Sequence, residues 1–273
     1  APATQVATDH DANHLNPPVH DEAPRRRKPP APPPMSDRHA SIGPPGPPEA
    51  TRTGNGECTA PRTRLVYLKT HKTGSSTLTN VFHRIALKHN ARVVLPKSNL
   101  FLGWPSKERV SESFVPIPGG NTYDVFCSAH ARYDQARIEA IVPDAAHVTV
   151  LREPGRHFVS SWKYWNTQQH IKDKSGMDVS MDQLLDAPTT WWPNALRSDR
   201  DLLENSQAFD LGIDHDASRD DVDAAIRRMD GWKLVLITEH MDESLVLLRR
   251  KMCWGMDDIV YYSLKVNSNA PPA

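Results

Sequence analysis

Arg64 to Arg84 reads RLVYLKTHKTGSSTLTNVFHR, and this stretch decides the fold. Leu65-Val66-Tyr67-Leu68 is a short apolar run of buried-strand character that stops at a loop rich in Lys, Thr, Gly and Ser. A helix follows. Ser75 and Ser76 are suitable caps, and Leu78, Val81, Phe82 and Ile85 recur at spacings of three and four, which gives one apolar face. Strand, small-residue loop and helix together make an anion site. The loop N–H groups and the positive end of the helix converge on one point, where Gly74 permits close approach of a phosphate. Lys69 and Lys72 add two charges there.

A nucleotide-triphosphate loop requires G-x-x-x-x-G-K-[ST], with Lys after the second Gly. Here Lys72 precedes Gly74 by two residues, in KTGSST, and no earlier Gly opens the loop. This order argues against ATP or GTP held through Mg²⁺.

Outward from the loop, short apolar runs alternate with helical patterns. Ala91 to Leu95 reads as a second strand ended by Pro96, and residues 96–122 are irregular, broken by Pro105, Pro116, Pro118 and Gly119-Gly120. Phe101 and Trp104 in that loop fit either a satellite apolar cluster or a surface that stacks on a sugar. Asp124 to Ser128 is a third strand and delivers His130 at its carboxyl end, on the same side of a parallel sheet as the Lys72 loop. A helix over 134–141 leads to a fourth strand, His147 to Leu151. Arg152 leaves that strand's end in LREPGRHFVSSW, Pro154 opens a helix where proline is tolerated, and Ser160 lies eight residues beyond Arg152.

Residues 166–215 are weakly patterned, with a helical turn at Met181 to Leu185 and local packing at Trp191-Trp192-Pro193. A helix over 219–229 precedes a fifth strand, Lys233 to Ile237. The phrase EHMDESLVLLRRKMCW is then an amphipathic helix with Leu245, Leu248 and Met252 on one face. This alternation predicts a single α/β domain: a P-loop-like three-layer arrangement with a central, mostly parallel sheet, helices on both faces and a ligand at the strand ends.

Composition bounds the rest. With 33 basic and 33 acidic side chains the formal net charge is zero, so no nucleic-acid partner is expected and any anion site is local. Residues 1–60 form a different unit. Thirteen of the 24 prolines lie before position 50, and no Phe, Tyr or Trp occurs before Tyr67, so a disordered Pro-rich tether is expected there and a folded domain over 61–273. Arg25-Arg26-Arg27-Lys28 is its one charge run. Cys58, Cys127 and Cys253 allow one disulfide with three possible pairings, and none has metal-ligand spacing; no metal is expected. No run of 18 apolar residues and no N-x-[ST] sequon is present.

Three phrases, LKTHKTGSSTL, LREPGRHFVSSW and DESLVLL, resemble the galactose-3-O-sulfotransferase family, and the likeness runs from about Cys58 to Asn267. The resemblance implies transfer of a sulfuryl group from 3′-phosphoadenosine-5′-phosphosulfate (PAPS) to the 3-hydroxyl of a β-galactoside on a glycolipid or glycoprotein glycan. It implies that Lys72 bridges the sulfuryl and leaving phosphate oxygens, and that Lys69 and the run Thr73, Gly74, Ser75, Ser76, Thr77 cradle the 5′-phosphate. Arg152 and Ser160 would hold the 3′-phosphate. The phrase FCSAHARYD resembles a C-N-H segment of the family, although Ser128-Ala129 separate Cys127 from His130, and it implies His130 as the base with His71 as the alternative. The family further implies a Golgi membrane protein with a lumenal catalytic domain, the tail as its stem, an anchor outside this chain, and a missing C-terminal portion. Two other readings stay open: a catalytically silent PAPS- or phosphate-binding domain, and, less favoured, a nucleotide kinase. The particular galactoside and the oligomeric state are not specified.

Overall fold

The computed structural model describes residues 60–98, 100–118, 120, 122–195 and 197–262. The expected tether and Cys58 lie outside the described residues. Four strands, β1 (Leu65–Leu68), β2 (Val125–Phe126), β3 (Ala146–Leu151) and β4 (Leu234–Ile237), form one sheet in the order β2-β1-β3-β4. Every pairing is parallel, with Leu65 opposite Val125 and Ala146, and Val148 opposite Leu234. The helices are α1 (Ser75–Lys88), α2 (Gln135–Ile141), α3 (Pro154–Trp165), α4 (Thr167–Ser175), α5 (Met181–Asp186), α6 (Pro188–Trp191), α7 (Arg197–Leu203), α8 (Ser206–Asp210), α9 (Arg219–Met229), α10 (Met241–Met252) and α11 (Met256–Ile259).

The unbroken apolar run of β1 is explained by burial on both sides. Leu65 and Tyr67 pack with Leu78, Val81, Phe82 and Ile85 of α1 and with Leu245, Leu248 and Met252 of α10. Val66 and Leu68 point the other way, into a second cluster with Ile138 and Ile141 of α2, Met229 of α9, and Leu102 and Val110 of the irregular segment. Fully burying one such side chain contributes about 1.5–3 kcal/mol. The three-layer α/β prediction therefore holds, with a wholly parallel sheet among the described residues.

Two local expectations are corrected. The segment Ala91 to Leu95 is not a full strand: it touches the sheet edge at a single parallel bridge, Val93 to Val125, with Val94 N donating to Val125 O at 2.8 Å. Pro96 ends the register on one side, and on the other Asp124 bonds the backbone and guanidinium of Arg92 at 2.9 and 3.0 Å, so little ladder is left between them. Nor do Ser75 and Ser76 cap α1. Gly74 occupies the cap position at φ 73°, without a side-chain cap, and the two serines are already helical.

A third apolar cluster, absent from the strand-and-helix pattern, gathers Trp104, Trp162, Ile171, Leu184, Leu202 and Phe209 from α3 to α8 and the irregular segment. It makes the weakly patterned stretch a small helical lobe. Local chemistry punctuates it: Asn166 turns α3 into α4 at φ 54°, Ser180 and Gln183 form a capping box on α5, and Pro188 opens α6. Of the cysteines, Cys253 is disulfide-bonded and Cys127 is a free, buried thiol, which excludes any pairing through Cys127.

Candidate active site

β1 and β3 are neighbours, but the chain leaves β1 toward β2 on one side and β3 toward β4 on the other. The crevice between their carboxyl ends is the place where such sheets bind ligands. Two threonines tie its floor together: Thr70 Oγ1 donates to Val150 O at 2.6 Å, and Thr149 Oγ1 donates to Leu68 O at 2.9 Å.

The Lys69–Gly74 loop closes over this floor. Lys72 lies in the left-handed region at φ 55° and Gly74 at φ 73°, so the chain turns sharply twice before α1 begins. Thr73 spends its hydroxyl within the loop, donating to Thr70 O at 3.1 Å, and Thr238 Oγ1 donates to both Thr73 O and Leu151 O at 2.9 and 3.0 Å. Arg152 Nη1 donates to Lys72 O at 3.0 Å, which joins the two motifs read in the sequence. Arg152 is itself set by Gln207, which accepts from Arg152 N at 2.7 Å and donates to Arg152 O at 2.9 Å, and by Glu239, 3.8 Å from Arg152 Nε.

No acidic residue stands in the first turn of α1 and no side chain caps it, so its leading amides suit an anion. The start of α3 differs. There the Glu153 carboxylate accepts from Gly155 N at 2.8 Å and Arg156 N at 2.6 Å, and these bonds hold its pKa below the usual range. Lys72 Nζ sits 3.4 Å from the centroid of the Tyr164 ring. Ser160 lies along α3, half-buried, and among the described residues no hydrogen bond links it to Arg152 or to the loop.

Both candidate bases are here, and they touch. The rings of His71 and His130 stack with centroids 3.8 Å apart and planes 10° apart. His130 Nδ1 donates to Lys69 O at 2.9 Å. Burial, then the neighbouring His71 and Lys69, push its pKa well below the ordinary imidazole value, so the ring is neutral at pH 7. His71 is 2% exposed and is held by groups the sequence did not disclose. Its backbone N–H donates to Asp210 Oδ2 at 2.8 Å, its Nδ1 lies 3.0 Å from both Asp210 oxygens, and its carbonyl accepts from His157 Nε2 at 3.0 Å. Asp210 also accepts from Trp104 Nε1 at 2.9 Å. Trp104, at 7% exposure and committed to this bond, is thus part of the wall and not a sugar platform. Its stacking partner Phe101 is brought to the site because the 100–102 segment pairs with His130, with Leu102 N donating to His130 O at 2.7 Å.

Asp210, His157 and Gln207 escaped the sequence reading because they lie 139, 86 and 55 residues from the groups they serve. Among the described residues no group of three or more His, Cys, Asp or Glu is placed to hold a metal, and no helix is long and apolar enough to cross a membrane.

The galactose-3-O-sulfotransferase family model matches residues 26–273. Galactosylceramide sulfotransferase of Homo sapiens is 33% identical over 243 residues, which cover 85% of this chain and 56% of that protein. Galactose-3-O-sulfotransferase 2 of Homo sapiens is 34% identical over 213 residues (76% and 52%), and galactose-3-O-sulfotransferase 3 of Homo sapiens is 35% identical over 212 residues (76% and 48%). The chain spans about half the length of the curated relatives it matches.

Proposed function

The chain belongs to the galactose-3-O-sulfotransferase family, and from that premise we propose that it moves the sulfuryl group of PAPS to the 3-hydroxyl of a β-galactoside on a glycolipid or glycan. The observation that carries the reading is the 3.0 Å bond from Arg152 to Lys72 O, because it joins both phosphate motifs at the crevice between β1 and β3.

In this reading PAPS is the co-substrate. The amides from Gly74 to Ser76 and the ammonium of Lys69 take the 5′-phosphate, the Thr77 amide being bonded to Gly74 O at 3.1 Å, while Arg152, with Ser160 on α3, takes the 3′-phosphate through its planar donor fork. Lys72 serves the bridging oxygens. Transfer in line spreads negative charge onto the sulfuryl and leaving phosphate oxygens, so fixed cations and amides lower the barrier without having to reorganise. The paired imidazoles His130 and His71 supply the proton acceptor for the sugar hydroxyl. The same reading places the enzyme at the Golgi membrane with this domain in the lumen, to be checked by co-localisation of the full-length protein with a Golgi marker.

Lys72→Ala lowers transfer by about 10²-fold or more, the scale set by loss of one transition-state donor. The measurement is transfer of radiolabelled sulfate from PAPS to galactosylceramide, lactose-type and N-acetyllactosamine-type acceptors. Near-normal turnover by folded Lys72→Ala removes Lys72 from the reaction. Binding of 3′-phosphoadenosine-5′-phosphate without transfer to any galactoside favours the silent domain instead.

A further inference from the structure

We propose that Asp210 is the positioning residue for proton transfer: its carboxylate holds His71 as the Nδ1–H tautomer and so leaves the Nε2 lone pair for the acceptor hydroxyl. The proposal rests on the sulfuryl-transfer reading above. An ionised carboxylate only accepts hydrogen bonds, and the oxygens of Asp210, fully buried, meet three donors: His71 N, His71 Nδ1 and Trp104 Nε1. With the hydrogen fixed on Nδ1, the neutral ring can only accept at Nε2. That atom is buried and has no hydrogen-bond partner among the described residues. A buried acceptor left unpaired costs stability, and such a cost is retained where the atom serves the chemistry.

The neighbouring groups separate the two imidazoles. His130 also donates its Nδ1–H, but to the neutral carbonyl of Lys69, and it lies in the field of Lys69 and Lys72, so an added proton there is repelled. His71 shares its loop with the same two lysines, with Arg152 bonded to Lys72 O, His130 stacked on one face of the ring and His157 donating to its carbonyl. It alone has an anion at Nδ1. Trp104 and Trp165 enclose its ring, with centroids 4.8 and 6.2 Å away, which strengthens the ion pair formed when the ring takes a proton. In the balanced step the galactose 3-oxygen gives an electron pair to sulfur, and the bond from sulfur to the 5′-phosphate oxygen breaks. Its electrons stay on 3′-phosphoadenosine-5′-phosphate, and the hydroxyl proton moves to His71 Nε2. The positive ring then faces Asp210.

The test combines ¹⁵N spectroscopy of imidazole-labelled chain with kinetics of Asp210→Asn. In the wild type the His71 signals show a protonated Nδ1 and an unprotonated Nε2. In Asp210→Asn the amide cannot satisfy all three donors and the tautomer is released. We expect kcat to fall by about 10²- to 10⁴-fold, the range seen when a carboxylate no longer fixes a catalytic imidazole, with KM for PAPS unchanged. On a His71→Asn background, Asp210→Asn subtracts nothing further, as residues acting as a unit are not additive. An unchanged kcat in Asp210→Asn, or a full additional loss on the His71→Asn background, overturns the proposal. Should Asp210→Asn fail to fold, the wild-type tautomer still decides: a protonated Nε2 on His71 in an active chain overturns the role of Asp210 alone. A correct tautomer in a chain that sulfates no galactoside overturns instead the transfer reading on which the proposal stands.

Discussion

Gly74 and Gly176 make a matched pair for asking what the turn before α1 does. Both hold φ in the left-handed region, at +73° and +74°, and neither is crowded. A methyl at Gly74 would meet Met241 Cε at 3.5 Å and Thr238 Cγ2 at 3.9 Å, which is ordinary contact, and one at Gly176 would meet nothing within 4 Å. The cost of alanine at either position is therefore a backbone cost. Left-handed geometry disfavours an L-residue by about 1–2 kcal/mol. Against this, alanine removes conformational freedom from the unfolded chain, worth about 0.4–1 kcal/mol in its favour. The net is a destabilisation of about 1 kcal/mol for each, and so a drop in Tm of about 2–4 °C in a domain of this size. Function separates them. Gly176 ends α4 in the helical lobe, whereas Gly74 is the cap before α1, and in the proposed reading its turn sets the angle at which the α1 amides meet an anion. Calorimetric titration with 3′-phosphoadenosine-5′-phosphate, paired with thermal unfolding, should show Gly176→Ala binding like wild type and Gly74→Ala binding at least about tenfold more weakly, the loss of ~1.4 kcal/mol. Equal affinities in two equally destabilised variants would refute the role given to the turn.

Two further outcomes follow from buried titratable groups. Cys127 is 0% exposed and burial pushes its thiol up to about 12, so in native protein at pH 8 it resists alkylation that proceeds readily in denaturant; stoichiometric labelling of the native thiol, followed by mass spectrometry, would contradict its placement. Burial also lowers the pKa values of His83, His130, His147 and His157. Because the unfolded imidazoles, near 6.5, take protons first, the stability held above about pH 6.5 is lost as pH falls through the lower folded values. His147→Gln, at the start of β3 and away from the candidate site, removes one share of this loss. Urea midpoints at pH 7.5 and 5.5 should therefore differ less in the variant than in wild type, and identical differences would show that His147 is not buried as a neutral ring.

What the sequence disclosed is what local chemistry encodes. The run Leu65 to Leu68, the spacing of Leu78, Val81, Phe82 and Ile85, and the Pro154 helix start each determine structure within a few residues, and β1, α1, β3, α3 and α10 appear where those patterns place them. The sheet-edge segment at Ala91 to Leu95 was harder to read, because its β-character is real but Arg92 is drawn to Asp124 and only Val93 makes a bridge. Of the lobe from α4 to α8 only α5 was legible, as the turn at Met181 to Leu185, since helices of four to nine residues carry too few turns for a period to emerge. Lys72 and Arg152 stood out as candidates because each lies within four residues of a strand's carboxyl end, β1 ending at Leu68 and β3 at Leu151. Asp210 did not, since no spacing relates it to His71 and only tertiary packing brings them together.

That packing fixes the carboxylate and the imidazoles as one unit. The residues just past His130 reach across to α8: Arg132 Nε donates to Phe209 O at 3.1 Å with its guanidinium 3.9 Å from the Phe209 ring centroid, and Tyr133 N donates to Asp210 O at 2.8 Å. Phe209 packs edge-on against Trp104, whose indole N–H returns to Asp210. The strand end that presents His130 therefore also anchors the helix that presents Asp210 to His71. A shift of α8 would have to break the backbone bond from Tyr133, the Arg132 contacts and the Trp104 bond together. In the proposed reading the helical lobe, although peripheral to the sheet, acts on the site through the position of one carboxylate, and damage to its core should be felt first in proton transfer and only later in the grip on the nucleotide.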